Sequence, residues 1–390
     1  MKIKLSLLLF IILIRSNSFS QKNKKAPETK ASEKALSFWD LPLLKEAYIS
    51  TSPEKRNDGI VVDHLNLDKN QKDKIVNLAQ EIGKGTYGNY DALLITHNEK
   101  MVFESYFKKG RINSPHVQFS VTKAYTSLAI GRAIKLGYLS MSDLEKPLIN
   151  FLTELDSTKF VAGVKKITLH KALTMSSGLR FSNEQIANFR KNPEKYKGIN
   201  QIQAFLSLSK PITTTSQNYK YQGTDPIMVM QVLDAVVPGS AKDFIKKELL
   251  GKLGINNYIW RNDLSGLPLA DSGSSLTSRD MMKIGTLVLE KGQWKNKQLI
   301  SSEYLSKATS AITKPTEDWQ PKTFSYGYLW YQTSLMLKNK SHDIKIAWGA
   351  GGNRIILSEE LNLVIVITGH DAEDIIMTQI ENIIIPAFTN

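Results

Sequence analysis

The 390-residue sequence contains no cysteine. That absence removes disulfides, thiolate nucleophiles and cysteine-based metal sites together, so the folded chain must rely on its core. Beyond the first twenty residues there is no apolar run approaching the roughly 20 residues that a bilayer-spanning helix needs. None of the six histidines stands at the carboxylate spacing of a zinc hydrolase. A phosphate-cradling GxGxxG is missing, as is any internal repeat. Basic residues are dispersed rather than interleaved with aromatics, which argues against nucleic acid as a partner. The expectation is a protein without metal or organic cofactor.

What is present begins with a secretory pattern. Lys2 and Lys4 precede an apolar run over 5–14, and the small residues Ser18 and Ser20 frame a cut before Gln21. An apolar run this short suits a cleaved signal better than a membrane anchor. No cysteine follows it, so lipid anchoring is excluded. The sequence therefore predicts a periplasmic or secreted protein with no transmembrane segment after signal removal. The formal net charge is +14, of which Lys2, Lys4 and Arg15 would leave with the signal. The rest reads as a solvated basic surface that could also meet an anionic cell-wall polymer.

Residues 21–37 are polar and lysine-rich, the composition of a tether. Within the wider extension, 21–85, DKNQKDKIVNLAQEIGKG places Ile75, Leu78, Ala79 and Ile82 on one helix face. The strands DALLITH and MVFESYF follow, joined by a turn at Asn98-Glu99-Lys100. AYTSLAIGRAIKLGYL then reads as a helix apolar on most sides, hence buried. Helix-like segments and loops dominate 125–290. Near the end, KIAWGAGGNRIILS and NLVIVITGH read as strands and DIIMTQIENIIIPAF as a closing helix. This is not a βαβ series. It predicts an α+β fold with an antiparallel sheet from both chain ends, a helical insertion over about 125–290, and a main domain over 86–390.

The chemical signal is Ser120-Val121-Thr122-Lys123. A serine hydroxyl is a weak nucleophile until a neighbour takes its proton, and an ammonium cannot do so. A lysine three residues on lies on the same helix face. It can serve if it is held as the free amine, which apolar surroundings favour. The helix N-terminus also aims N–H groups at the attacked centre. The spacing recurs at Ser52/Lys55 and Ser207/Lys210, but Ser52 precedes Pro53 in a polar loop and Ser207 ends its helix. Only Ser120 opens a buried helix.

Seven segments in order carry a resemblance over about 90–390: DALLITHNEKMVFESYF, FSVTK, ITLHKALTMSSGL, YKYQGTDP, SGSSLTSRDMMKIGTLVLEKGQW, YGYLWYQ and WGAGGNRIILSEELNLVIVITG. The sequence resembles the serine β-lactamase-related superfamily of class C β-lactamases, D,D-carboxypeptidases and family-VIII esterases. In motif it is closest to the aminohexanoate-dimer hydrolases. The resemblance implies the β-lactamase/transpeptidase-like fold, with Ser120 as nucleophile and Lys123 as general base. It places the family's Tyr-x-Asn motif at Tyr221-Gln222-Gly223, implying Tyr221 as proton shuttle with Tyr219 as a rival. Ala347-Trp348-Gly349 stands at the family's Lys-Thr-Gly strand. Trp348 and Gly349 then wall the cleft, and the N–H of Ala350 joins that of Ser120 as the oxyanion hole.

Two departures bear on substrate. The family's third-motif cation is Ala347 here, and Gly223 replaces an asparagine. Arg354 could restore the charge, although it reads as structural. His370 is a weaker candidate base. Ser176, Ser177, Arg279 and Asp280 read as capping or pairing groups. The expected function is an exported hydrolase acting on a small-molecule ester or amide. A D,D-carboxypeptidase acting on cell-wall peptide, a β-lactamase, and a non-catalytic cell-wall or partner-binding module are the alternatives.

Overall fold

The computed structural model describes residues 25–372 and 374–389. The expected signal segment over 1–20 lies outside them. Among the described residues no helix is long and apolar enough to cross a membrane.

Eight antiparallel strands form the main sheet. Their order is Tyr48–Ser50, Lys100–Tyr106, Tyr90–His97, Leu363–Gly369, Asn353–Ser358, Lys340–Gly349, Tyr331–Leu337 and Ser325–Tyr326. Both chain ends thus supply strands to one sheet. The first hairpin turns at Asn98 and Glu99, both at positive φ (49° and 63°), the pairing that a tight two-residue connection requires. The neighbouring strands Tyr90–His97 and Leu363–Gly369 are buried almost throughout, which is why their sequences run apolar instead of alternating. Helix Ser278–Leu289 packs on them. Its Gly285 approaches so closely that a β-carbon there would meet Val364 Cγ1 at 2.5 Å. Helix Lys69–Lys84 buries Ile75, Leu78, Ala79 and Ile82 as expected, partly against the C-terminal turns.

In sequence, most of the helical part lies between the strands from the two chain ends. Helix Thr122–Lys135 buries twelve residues in succession, Thr122 to Ala133. It packs against helices Thr224–Val236 and Ser302–Ala308, and Gly131 leaves room for Tyr304 and Ile300.

The extension departs from expectation. From Ala26 onward it is packed rather than tethering: Ala26, Glu33, Phe38 and Leu41 are buried. Glu33 meets Arg111 at 3.5 Å, Pro27 O accepts from Ile112 N at 2.9 Å, and Arg111 donates to Pro42 O at 2.9 Å. Arg279, itself buried, donates to Asp58 and Glu104 (both 2.7 Å) and to Glu54 O (2.9 Å). The extension also supplies Tyr48–Ser50, the edge strand of the main sheet. Composition hid this, since a few buried apolar groups, Phe38 and Leu41 among them, act together with specific polar partners such as Glu33 with Arg111.

Candidate active site

Ser120 lies in the short turn Phe119–Val121 that leads directly into helix Thr122–Lys135. Phe119 has φ of +47°, a left-handed conformation that costs a non-glycine residue about 1–3 kcal/mol. The neighbours that enforce it are specific. Gln118 N donates to Ser274 O at 3.1 Å, Gln118 Nε2 to Leu276 O at 3.1 Å, and Thr122 Oγ1 to Phe119 O at 2.6 Å. Tyr125 Oη closes the set on Gln118 Oε1.

One helical turn later, Lys123 is buried, with Nζ 2.9 Å from Ser120 Oγ. The amine also donates to Asp271 O at 2.7 Å and sits 4.7 Å from the Tyr221 ring centroid. Its surroundings are thus a hydroxyl, a carbonyl and an aromatic face. Among the described residues no carboxylate pairs with it within 4.0 Å. The other two Ser-x-x-Lys spacings form no such pair: Ser52 N is taken by Ser50 Oγ, and Ser207 Oγ accepts from Gln203.

Of the two tyrosines, Tyr221 faces Lys123. Glu317 Oε1 accepts from its backbone N–H at 3.1 Å. Tyr219 is buried elsewhere: its Oη accepts from Gln320 at 2.8 Å, and burial holds its hydroxyl far above the usual phenol range. Asp225 anchors the Tyr221 loop. It accepts from Ser177 Oγ (2.7 Å), Ser177 N (3.2 Å) and Gln222 Nε2 (2.6 Å). Complete burial nevertheless raises its carboxyl to about 6. Ser177, read from sequence as a cap, is the tie between this loop and the MSSGL turn.

Strand Lys340–Gly349 forms the opposite wall. A β-carbon on Gly349 would lie 2.3 Å from Gln118 O and 3.0 Å from Val121 N, so only glycine lets the strand back onto the turn that carries Ser120. Ala350, itself exposed, opens the turn that follows, held by Asn353 Nδ2 donating to Ala350 O at 2.7 Å. Ala347 is buried and offers no charge. Arg354 does not replace it: it is paired with Asp374 (2.8 Å) and stacked 4.9 Å from the Trp348 ring. Trp348 continues through Trp319 (5.6 Å) to Tyr221 (a further 5.2 Å), making an aromatic wall.

Two groups escaped sequence reasoning. Gly223 leaves a gap that Asp271 enters, its Oδ2 lying 2.4 Å from where a β-carbon on Gly223 would stand. Separately, buried Asp91 Oδ2 meets His116 Nε2 at 2.9 Å and His370 Nδ1 at 2.7 Å. His370 is thus occupied by Asp91, not by a serine. These three donor atoms lie within 4.8 Å of one another and could hold a cation, although both contacts to Asp91 have hydrogen-bond lengths. The members are too distant in sequence for any spacing rule to connect them.

The Beta-lactamase family profile matches residues 87–373, a span that includes Ser120, Lys123, Tyr221, Asp271 and Gly349. The chain belongs to this family. It is a hydrolase of the serine beta-lactamase kind, with an antiparallel sheet and flanking helices. Among solved structures it is similar to a class C beta-lactamase, at 16% identity and TM-score 0.64, covering 84% of this chain and 99% of that one. It is also similar to a Bacillus anthracis protein assigned as a 6-aminohexanoate-dimer hydrolase (17%, TM-score 0.58, 86% of each chain). A D-stereospecific amidohydrolase from a Streptomyces species is a third (14%, TM-score 0.58, 79% and 98%). At these identities the likeness is one of fold. No curated protein matches.

Proposed function

We propose that the protein is an exported serine hydrolase cleaving an ester or linear amide through an acyl-enzyme on Ser120. The observation that carries this reading is the 2.9 Å approach of Lys123 Nζ to Ser120 Oγ beneath the Tyr221 ring.

Lys123, as the free amine, takes the hydroxyl proton while Oγ bonds to the substrate carbonyl carbon. The resulting oxyanion rests on the N–H groups of Ser120 and Ala350. The carbonyl re-forms as the bond to the leaving oxygen or nitrogen breaks, and Tyr221 passes the proton from Lys123 to that atom. Water then attacks the acyl-enzyme, giving up a proton to Lys123 either directly or relayed through Tyr221, and the acid leaves as Oγ recovers that hydrogen.

The buried Ala347 and the commitment of Arg354 to Asp374 leave this wall without a cation for a substrate carboxylate. That favours neutral or cationic esters and amides over β-lactams and D-Ala-D-Ala peptides. The intact Ser120, Lys123 and Tyr221 constellation weighs against a purely binding role. The test is a panel on the mature protein, with S120A as control: short p-nitrophenyl esters, linear amides, a D-Ala-D-Ala peptide and nitrocefin. Ser120-dependent turnover of esters or amides is expected, with nitrocefin slow. Fast nitrocefin hydrolysis would overturn the substrate preference, and the absence of any Ser120-dependent reaction would favour a binding module. Export is checked by N-terminal sequencing of the released protein, which should begin at Gln21.

A further inference from the structure

We propose that the carboxylate of Asp271 is a specificity-determining group that receives an N–H donor, above all an ammonium, on the acyl part of the substrate. This rests on Ser120 being the nucleophile.

Asp271 meets the reacting pair through its backbone, since its carbonyl accepts from Lys123 Nζ at 2.7 Å. Its side chain turns into the room beside Gly223, where Oδ2 and Cγ would stand 2.4 Å and 3.3 Å from a β-carbon. Any side chain at 223 would contest that space, so the glycine and the aspartate are complementary. The two carboxylate oxygens are used differently. Oδ1 accepts from Ser272 Oγ at 2.8 Å. Oδ2 has no donor among the hydrogen bonds of the described residues, and no cation pairs with the carboxylate within 4.0 Å.

An ionised carboxylate only accepts. A neutral amide at this place could also donate, and would tolerate a substrate carbonyl or carboxylate; Asp271 repels both. Glu317 lies on the Tyr221 backbone N–H at 3.1 Å, adding negative charge nearby. The faces of Tyr221 and Trp319 are surfaces on which an ammonium is favoured. The acyl group stays bonded to Ser120 Oγ through both half-reactions. The reacting carbonyl of that acyl group would therefore stay beside the Lys123–Asp271 contact throughout.

The test compares esters that differ only in a terminal ammonium or methyl: p-nitrophenyl 3-aminopropanoate against butanoate, and 6-aminohexanoate against heptanoate. Wild type, D271N and G223A are assayed as full mature chains. The ratio of kcat/KM between ammonium and methyl esters should favour the ammonium in wild type for at least one pair. It should fall about tenfold or more in D271N, mainly through KM, the scale of one charge-assisted hydrogen bond. G223A, whose methyl would displace the carboxylate, should lower the ratio in the same sense and serves if D271N does not fold. A wild-type preference for the methyl esters, or a ratio within twofold of wild type in the folded variant, would overturn the proposal. Failure of the Ser120 reading would look different: no turnover of any of the four esters that S120A abolishes.

Discussion

Gly349 and Gln118 touch backbone to backbone: the α-carbon of Gly349 has no space for a methyl, because Gln118 O would be 2.3 Å from it. Strand Lys340–Gly349 and the Ser120 turn are therefore registered by a missing side chain. G349A should cost about 1–3 kcal/mol through overpacking and should lower Ser120-dependent turnover more than tenfold. Thermal melts and ester kinetics on the same samples check this. A fully active G349A would mean that the turn and strand are not held together at this point.

The carboxyl of Asp225 gives a pH dependence of definite sign. Its folded value, about 6, lies above that of the unfolded chain, so folding takes up a proton between the two. The group's stability contribution is complete below the ordinary carboxylate range and is lost as pH rises through about 6. The size is roughly 3 kcal/mol. In unfolding melts, the stability of wild type relative to D225N should be greater near pH 4.5 than near pH 7.5. An unchanged difference would show that Asp225 is not buried as described.

Asp91 behaves in the opposite sense. Burial acts to raise its carboxyl, but hydrogen bonds from His116 and His370 outweigh this and hold it below the usual range. Its contribution is present above the unfolded value, about 3.9, and disappears as pH falls through its lower folded value. D91N should destabilise by about 1–3 kcal/mol near neutral pH, with the deficit shrinking below about pH 4. The groups packed around it are His116, His370, the Lys109 backbone N–H at 2.9 Å and the Phe38 ring. Urea unfolding at pH 7 and at pH 3.5 measures the change.

Much of this arrangement was legible in the chain, and the limits have physical causes. The first hairpin, the amphipathic face of Ile75, Leu78, Ala79 and Ile82, and the buried helix after Ser120 are local patterns that periodicity reports. Ser120 and Lys123 are three residues apart, so a single helical turn determines their contact. Asp271 was not legible because its role depends on Gly223, 48 positions earlier, being empty. The union of Asp91, His116 and His370 joins three separate segments. Strand Tyr331–Leu337 shows no alternation that sequence could report, because polar Thr333 is buried while apolar Met336 faces solvent. Residues 21–37 read as a tether because little of what holds the described part of that segment is apolar, Glu33 with Arg111 being an example.

The most direct test of the account is covalent labelling by a fluorophosphonate, followed by peptide mapping and by rate measurement in wild type, S120A and K123A. One adduct is expected, on Ser120, absent in S120A and formed at least about a hundredfold more slowly in folded K123A. An adduct on another residue, or a K123A rate equal to wild type, would contradict it.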